Sequence, residues 1–478
     1  MDKISIDFAA PTGPVKQLNG VNNCPMRLKG GKRQGQPELH DIGVPYCRLH
    51  DTAGAWGGTH YVDIPNVFPD FDADENDPAS YDFAFTDALL AELVAAGIEP
   101  FYRLGVTIEN NWRVKAYNLE PPKDFAKWAR ICEHIVRHYN EGWADGFAWG
   151  LEFWEIWGEP ENPPLWRGTR EQYFELYRVT ANHLKACFPD IKVGGYGSCG
   201  LYAIDPERES ERSEFFRSFL DWFDEFLAFV TAPATQAPLD FFSWHIYLGK
   251  SGPERIAAHA AYVRERLDRA GLAKTESYLD EWNDCSDAWS GGGFEAMKEM
   301  PGATAIAASF CVMQRAPIDK AMYYDALPSR EYCGLFYFPG GPGHHLTPTY
   351  RSFQAFYELY KLGTAVASEA VGDKLYVLAA ASGPAQAMLL VNRRDEEARI
   401  ELEAAGAAGP FAVRLLDRDH PTLEPAGEWR PGDSCVLPAK SVLLLATEVP
   451  AASAPDAKAA PPTSRPDGID DSVAKGRK

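Results

Sequence analysis

Eight times between about residues 18 and 360 a strand-like run is followed by a helix-like run, and this alternation constrains the fold more than any other feature of the chain. The strand candidates are LNGVNN, PYCRLHD, IEPFYRLGV, FWEIWGEP, IKVGGYG, DFFSWHIY, SYLDEWND and KAMYYDAL. Several are apolar almost throughout, the pattern of strands covered on both faces. The segments between them carry helical periodicity. Ile256, Ala260, Val263, Leu267 and Ala270 form one stripe, Phe85, Leu89 and Leu93 another, and Phe125, Trp128, Cys132, Ile135 and Tyr139 a third. Thr169 and Gln172 have the spacing of a capping box that opens a further helix. The count is compatible with an open doubly wound sheet, but eight β–α units favour closure. The expected class is α/β, with a (β/α)8 TIM barrel over residues 18–360.

After TYRSFQAFYELYKLG the pattern changes. Residues 361–449 read as short strands (KLYVLAAA, QAMLLVNRR, RIELEA, FAVRLLD, SVLLLATE) separated by turn signals, which predicts a small antiparallel β-sandwich packed on the barrel. The run ISIDF within residues 1–17 is a strand candidate expected to join it. Residues 450–478 offer only Ile469 and Val473 as large apolar side chains and are expected to form a disordered tail.

The 47 Lys and Arg residues stand against 68 Asp and Glu, a formal charge of −21. Such a chain is poorly suited to grip nucleic acid or an anionic membrane, and it has no apolar run long enough to cross a bilayer. Nine scattered cysteines without CxxC pairs form neither a disulfide framework nor a structural zinc site. The opening MDKISIDFAAPTG lacks the apolar stretch of a signal peptide, so a reduced, cytoplasmic setting is expected.

In such a barrel the C-terminal strand ends face the active site. The fourth candidate strand ends in Trp154-Glu155-Ile156-Trp157-Gly158-Glu159-Pro160 and the seventh in Asp280-Glu281-Trp282-Asn283. Two carboxylates facing one another across a barrel mouth at about 5–5.5 Å suit double-displacement glycoside hydrolysis, one as nucleophile and the other as acid and then base.

WEIWGEP resembles the W-x-x-W-N-E-P signature of the acid/base strand in the clan of retaining barrel glycosidases. With RLHD, SWHIY, DEWN, the TYRSFQAFYELYKLG helix and the sandwich, about residues 1–448 resemble glycoside hydrolase family 39, the β-xylosidase and α-L-iduronidase group. The resemblance implies Glu159 as acid/base and Glu281 as nucleophile. It implies His50 in the sugar subsite, His245 and Tyr247 as partners of the sugar or the nucleophile, and Asp325 as a further sugar contact. It implies a short oligosaccharide or aryl glycoside as substrate, a β-D-xyloside first, and a homo-oligomer as a possible assembly; the mechanism requires no metal or organic cofactor. Arabinosidase, galactosidase and iduronidase specificities stay open, the last less favoured because no basic residue near Tyr247 suggests itself for a uronate. Gly158 departs from the family, whose Asn at this position usually contacts the sugar 2-hydroxyl. Either another group replaces that contact, the substrate differs there, or the chain is an impaired carbohydrate-binding protein on the same scaffold.

Other candidates are weighed from the residues alone. Asp51 either binds a hydroxyl or orients His50. Trp112, Trp166, Trp282 and Trp289 are candidates for stacking on a sugar face, Trp282 foremost, although core packing is the commoner use of Trp. Glu109 and Asn110 follow the third strand, within reach of the site, and read more readily as an exposed loop. Glu155 alternates away from the neighbours of Glu159 and reads as structural, and Arg103 is a candidate interior partner for a carboxylate. His344 and His345 read as solvated loop residues rather than metal ligands, and Ser198-Cys199 shows no nucleophile elbow.

Overall fold

The computed structural model describes residues 2–24, 36–49, 62–106, 119–205, 213–285, 293–328, 331–337 and 346–447. A long first strand, β1 (Asp2–Pro14), precedes the barrel. The barrel strands are β2 (Gly20–Asn22), β3 (Tyr46–Leu49), β4 (Glu99–Leu104), β5 (Phe153–Ile156), β6 (Lys192–Ser198), β7 (Phe241–Tyr247), β8 (Glu276–Asn283) and β9 (Lys320–Tyr323). Each pairs in parallel with the next, and β9 returns to β2 through Gly20↔Met322 and Val21↔Tyr323. All eight candidate strands of the sequence are present, in order.

The helices are α1 (Gln36–Asp41), α2 (Ile64–Val67), α3 (Ala84–Ala95), α4 (Phe125–Asn140), α5 (Arg170–Cys187), α6 (Glu214–Thr231), α7 (Glu254–Arg269), α8 (Met300–Arg315) and α9 (Pro348–Tyr360). The predicted stripes face inward: Ile256, Ala260, Val263 and Leu267 of α7 are buried, as are Trp128, Cys132, Ile135 and Tyr139 of α4. Phe85 is the exception, 47% exposed. Its neighbour Phe83 is buried instead and stacks on His138 with ring centres 3.6 Å apart. Thr169 caps α5 as a full capping box with Gln172. No helix among the described residues is long and apolar enough to cross a membrane.

The second unit is one nine-stranded, mostly antiparallel sheet that curls on itself into a sandwich. Its C-terminal strands are β10 (Thr364–Val371), β11 (Leu375–Ser382), β12 (Ala385–Asn392), β13 (Ala398–Ala405), β14 (Phe411–Leu416), β15 (Glu424–Trp429), β16 (Cys435–Leu437) and β17 (Ser441–Ala446). β1 lies between them, antiparallel to β10 and parallel to β13. The curl brings Phe8 of β1 against Phe411 of β14, rings stacked at 5.9 Å, although the two strands are not neighbours in the sheet.

Strand periodicity explains how this unit docks. Along β11, Leu375, Val377 and Ala379 face the sandwich's own core, while Tyr376, Leu378 and Ala380 join the core shared with the barrel. β12 and β17 divide their residues in the same way. With a side-chain period of two, a strand buried on both faces must be apolar at nearly every position, which is why LYVLAAA and VLLLA read as continuous runs.

Candidate active site

At the N-terminal end of the barrel the interior is plugged by Tyr46, Phe101, Phe153, Phe241, Tyr278 and Met322. One strand period further on, five of these strands present Arg48, Arg103, Glu155, Ser243 and Asp280, all buried. The interior thus changes from aromatic to charged over two residues, toward the C-terminal strand ends.

A bulge in β8 brings the seventh-strand carboxylate inside. Trp244 pairs with Leu279 and His245 pairs with Glu281, so Asp280 is the extra residue. Such a bulge re-aims side chains and is common beside active sites. Asp280 and Glu281 therefore both reach the barrel interior: Arg48 lies 3.0 Å from the Asp280 carboxylate and 3.2 Å from that of Glu281. Strict alternation would have sent Glu281 outward.

Glu159 arrives by a different device. β5 ends at Ile156, and Trp157 and Glu159 both adopt left-handed backbone, with φ of 71° and 50°. The conformation costs of order 1–3 kcal/mol per residue and needs outside support. Here the Glu159 N–H donates to the carbonyls of Tyr196 (3.1 Å) and Gly197 (3.0 Å) at the end of β6. Gly197, at φ 60°, suits glycine on two counts: a side chain would strain the backbone, and its Cβ would crowd Arg48 Nη2 at 3.0 Å and Glu155 Oε1 and His245 Nε2 at 3.2 Å.

The two carboxylates meet over His245. Its Nδ1 lies 2.8 Å from Glu159 Oε1 and 3.7 Å from Glu281 Oε2. Donor atoms of Glu159, His245 and Glu281 all fall within 4.8 Å of one another. Tyr247 donates its hydroxyl to Glu281 Oε1 at 2.8 Å, and Asn162 donates to Glu159 Oε2 at 2.9 Å. Below them Arg48 donates to Glu155 Oε2 at 2.8 Å, and Ser243 donates to Glu155 Oε1 at 2.6 Å.

Burial acts on every one of these groups, and their neighbours decide the sign. Burial alone would lower the His245 pKa; the charge of Glu281, the Glu159 hydrogen bond and the charge of Asp280 outweigh it and raise it to about 9. His245 is therefore an imidazolium at neutral pH. Burial opposes the Glu159 carboxylate, but the hydrogen bond and charge of His245, with Asn162, bring its pKa below the ordinary value. For Glu281 burial and the charge of Glu159 prevail over His245, Arg48 and Tyr247, and its pKa is raised. The difference follows from distance, since His245 is closer to Glu159. Burial and the charge of Glu155 also hold Asp280 well above the ordinary carboxyl range despite Arg48.

Asp325 is buried beyond β9, where its Oδ2 accepts from Asn23 Nδ2 at 3.2 Å. Burial pushes its pKa well up, and the charge of Glu281 adds to this. Gly158 lies buried between the two left-handed residues. Of the candidate residues, the structure brings together Glu159, Glu281, His245 and Tyr247, with Gly158 in the turn that carries Glu159. His50, Asp51, Trp112, Trp289, Glu109, Asn110, His344 and His345 lie outside the described residues.

Two readings require correction. Trp282 does not face the mouth: it is fully buried against Phe310 of α8 and Tyr323, on the outer side of the β8 bulge that turns Glu281 in. Glu155 is structural, yet it does not point away from the site; it points into the barrel and shares Arg48 with Glu281, because the left-handed turn breaks alternation before Glu159 is reached. Trp166 also packs, against Trp157, and donates Nε1–H to the Thr169 carbonyl at 2.8 Å. Arg103 pairs inside with Asp63 at 2.8 Å. The sequence reading did not single out Arg48, Asn162 and Asp280, although Arg48 stands in the quoted RLHD, one strand period before His50.

Residues 59–290 match the sequence profile of glycosyl hydrolases family 39. Over this stretch, just under half of its length, the chain resembles that family. It is 27% identical over 222 residues to a β-xylosidase of Geobacillus stearothermophilus, covering 44% of this chain and 38% of that protein. It is 27% identical over 308 residues to a β-xylosidase of Caldicellulosiruptor saccharolyticus, covering 59% of this chain and 56% of that protein. The matches thus span about 38% and 56% of these relatives' own length. In fold, the chain is similar to the crystal structure of a glucosidase from Croceicoccus marinus, with a TM-score of 0.69 and 23% identity over 94% of this chain and 100% of that one.

Proposed function

We propose that the protein is a retaining exo-glycosidase, with Glu281 as nucleophile and Glu159 as acid/base. The observation that carries this reading is the approach of the two carboxylates, whose nearest oxygens lie within 4.8 Å. A retaining pair stands about 5–5.5 Å apart, whereas an inverting pair leaves about 6.5–9.5 Å for a water molecule.

Before substrate binds, the transferable proton rests on His245, hydrogen-bonded to Glu159. When a neutral sugar displaces water, the ion pair loses solvation, and the shift of that proton across the 2.8 Å hydrogen bond yields a neutral His245 and a protonated Glu159. Glu159 then protonates the glycosidic oxygen as the carboxylate of Glu281 attacks C1 and forms a glycosyl ester. The Tyr247 hydroxyl and Arg48 hold the attacking carboxylate. In the second half, Glu159 takes a proton from water as the water attacks C1, and Glu281 leaves as carboxylate. The chemistry asks for no cofactor.

Among substrates, β-D-xylosides come first, because the two relatives named above are β-xylosidases. Gly158 leaves the 2-hydroxyl contact open. Aryl β-xyloside, β-glucoside, β-galactoside, α- and β-arabinosides and α-iduronide form the test panel, with Glu159→Gln and Glu281→Gln beside the parent. Turnover of one member that collapses in both variants, with the first-formed product retaining its anomeric configuration by NMR, supports the reading. An inverted product overturns the mechanism. A parent that turns over nothing, gains nothing from Gly158→Asn and is still protected by sugar against heat favours a carbohydrate-binding protein.

A further inference from the structure

A further carboxyl stands behind the reacting pair. Glu161, two residues after Glu159, is buried, with 6% of its surface exposed. Its Oε1 accepts from the Ser198 hydroxyl and from the Cys199 N–H, each at 2.8 Å. Cys199 Sγ in turn accepts from Asn162 Nδ2 at 3.3 Å, and the same amide holds Glu159 Oε2 at 2.9 Å. Glu161 thus fastens the end of β6 to the turn after β5, and the linkage reaches the oxygen of Glu159 that His245 does not hold. Glu161 Oε2 has no hydrogen-bond partner among the described residues.

We propose that Glu161 is a positioning residue for Glu159, anchoring Cys199 and Asn162 so that the acid/base carboxyl is held at the glycosidic oxygen. This rests on the reading of Glu159 as acid/base. Glu159 sits in left-handed backbone, a conformation that the surrounding structure must impose. The linkage through Glu161 imposes it from the β6 side.

The anchor works as a neutral acid. Burial, and then the charge of Glu159, push the Glu161 pKa up to about 8, against the donors Ser198 and Cys199. The groups facing it are Glu159 on its own turn, Tyr196, Ser198 and Cys199 of the β6 end, and Tyr173 of α5. A second full negative charge here would oppose that of Glu159 and make a protonated Glu159 a weaker acid. Activity should therefore begin to fall as pH rises through about 8, ahead of the His245 midpoint at about 9.

The test uses the full chain with Glu161→Ala and the isosteric Glu161→Gln, on aryl glycosides of whichever sugar the parent hydrolyses, graded from dinitrophenyl to unsubstituted phenyl. Misplaced acid catalysis shows on poor leaving groups and vanishes on good ones. Glu161→Ala should lower kcat on the phenyl glycoside by about 10–100-fold, with little loss on the dinitrophenyl glycoside and KM within about twofold. Glu161→Gln should keep kcat within about threefold and lose the decline near pH 8. Equal loss across leaving groups, or no loss in Glu161→Ala, would overturn the proposal. Infrared difference spectra between parent and Glu161→Gln read the same carboxyl without turnover. A protonated carboxyl band at neutral pH that is missing in the variant is expected, and its absence from the parent overturns the neutral anchor even if no glycoside is hydrolysed. A parent inactive on every glycoside counts against the glycosidase reading, while the infrared result still decides the state of Glu161.

Discussion

Two layers inside one barrel differ by a single strand period. The lower layer is six aromatic and apolar side chains, with Phe101 against Phe153 at 5.5 Å and Phe241 stacked on Tyr278 at 4.6 Å. Lys320 lies over Tyr46, Phe153 and Tyr278 at 5.2–5.4 Å from the ring centres. The upper layer replaces rings with Arg48, Glu155, Asp280 and Glu281, and a guanidinium there serves three carboxylates. Burial of the lower layer stabilises the fold, since apolar area removed from water contributes about 25 cal/mol per Å². Burial of the upper layer costs stability unless every charge is answered, and in return it fixes charges in a medium of low polarity where, in the proposed reaction, they act strongly on a bound sugar. Strands of one design thus carry stability at one end and chemistry at the other.

The largest expected effect lies in the upper layer. With Glu281 as the proposed nucleophile, Glu281→Gln should lower kcat by about 10⁴-fold or more. The thermal midpoint should hold or rise, because one of two crowded negative charges has gone. A midpoint that falls steeply would make Glu281 a structural member of the layer and erase the contrast.

The two layers separate next in a matched pair. Phe101→Ala leaves a void in the aromatic plug and should cost about 3–5 kcal/mol of stability. Arg48→Met strands buried carboxylates and should cost about 3–5 kcal/mol as well. Urea unfolding measures both. At a temperature where each variant is folded, activity per folded molecule should survive in Phe101→Ala and be lost in Arg48→Met. Equal activities would mean that the layers do not divide the work.

How far these layers can be read in the sequence depends on how far strand periodicity runs. The eight strands, the α4 and α7 stripes and the capping box at Thr169 follow local rules and were legible. So were the two carboxylates, because WEIWGEP and DEWN mark strand ends. The rest lies where period two breaks. The β8 bulge puts Asp280 and Glu281 on one side, and left-handed Trp157 and Glu159 turn the chain after β5. Arg48 was hidden for another reason: an arginine in a strand is usually a surface residue, and only the closed barrel supplies three buried carboxylates from β5 and β8 to hold it. β15, with its Gly and Pro, and the three-residue β16 are too short or too polar to stand out from turns.

Within the upper layer the pH profile of kcat/KM resolves the charges. Glu281 has a raised pKa, so activity should fall as pH drops through that value and the proposed nucleophile becomes protonated. At the other end, activity should be lost as pH rises through about 9, where His245 gives up the proton it shares with Glu159. In His245→Asn the imidazolium no longer holds a proton for Glu159. Its alkaline limb should move to lower pH, about where a lone buried carboxyl titrates. An unmoved limb would remove His245 from the proton path.

The smallest expected effect tests the boundary of the layer itself. Trp282 adjoins Glu281 in sequence and would be the natural sugar-stacking residue if β8 alternated without interruption. The extra residue at Asp280 reverses the two: Glu281 turns in, and Trp282 turns out against Phe310 at 5.9 Å and Tyr323 at 5.6 Å. Trp282→Phe keeps an apolar ring there and removes part of its volume, so it should cost about 1–3 kcal/mol of stability. KM for any aryl glycoside should stay within about twofold, because the ring makes no sugar contact to lose. A KM that rises tenfold while stability is unchanged would put the indole in the mouth. It would then follow that β8 carries no bulge, that Glu281 faces outward, and that the charged layer must be rebuilt around Asp280.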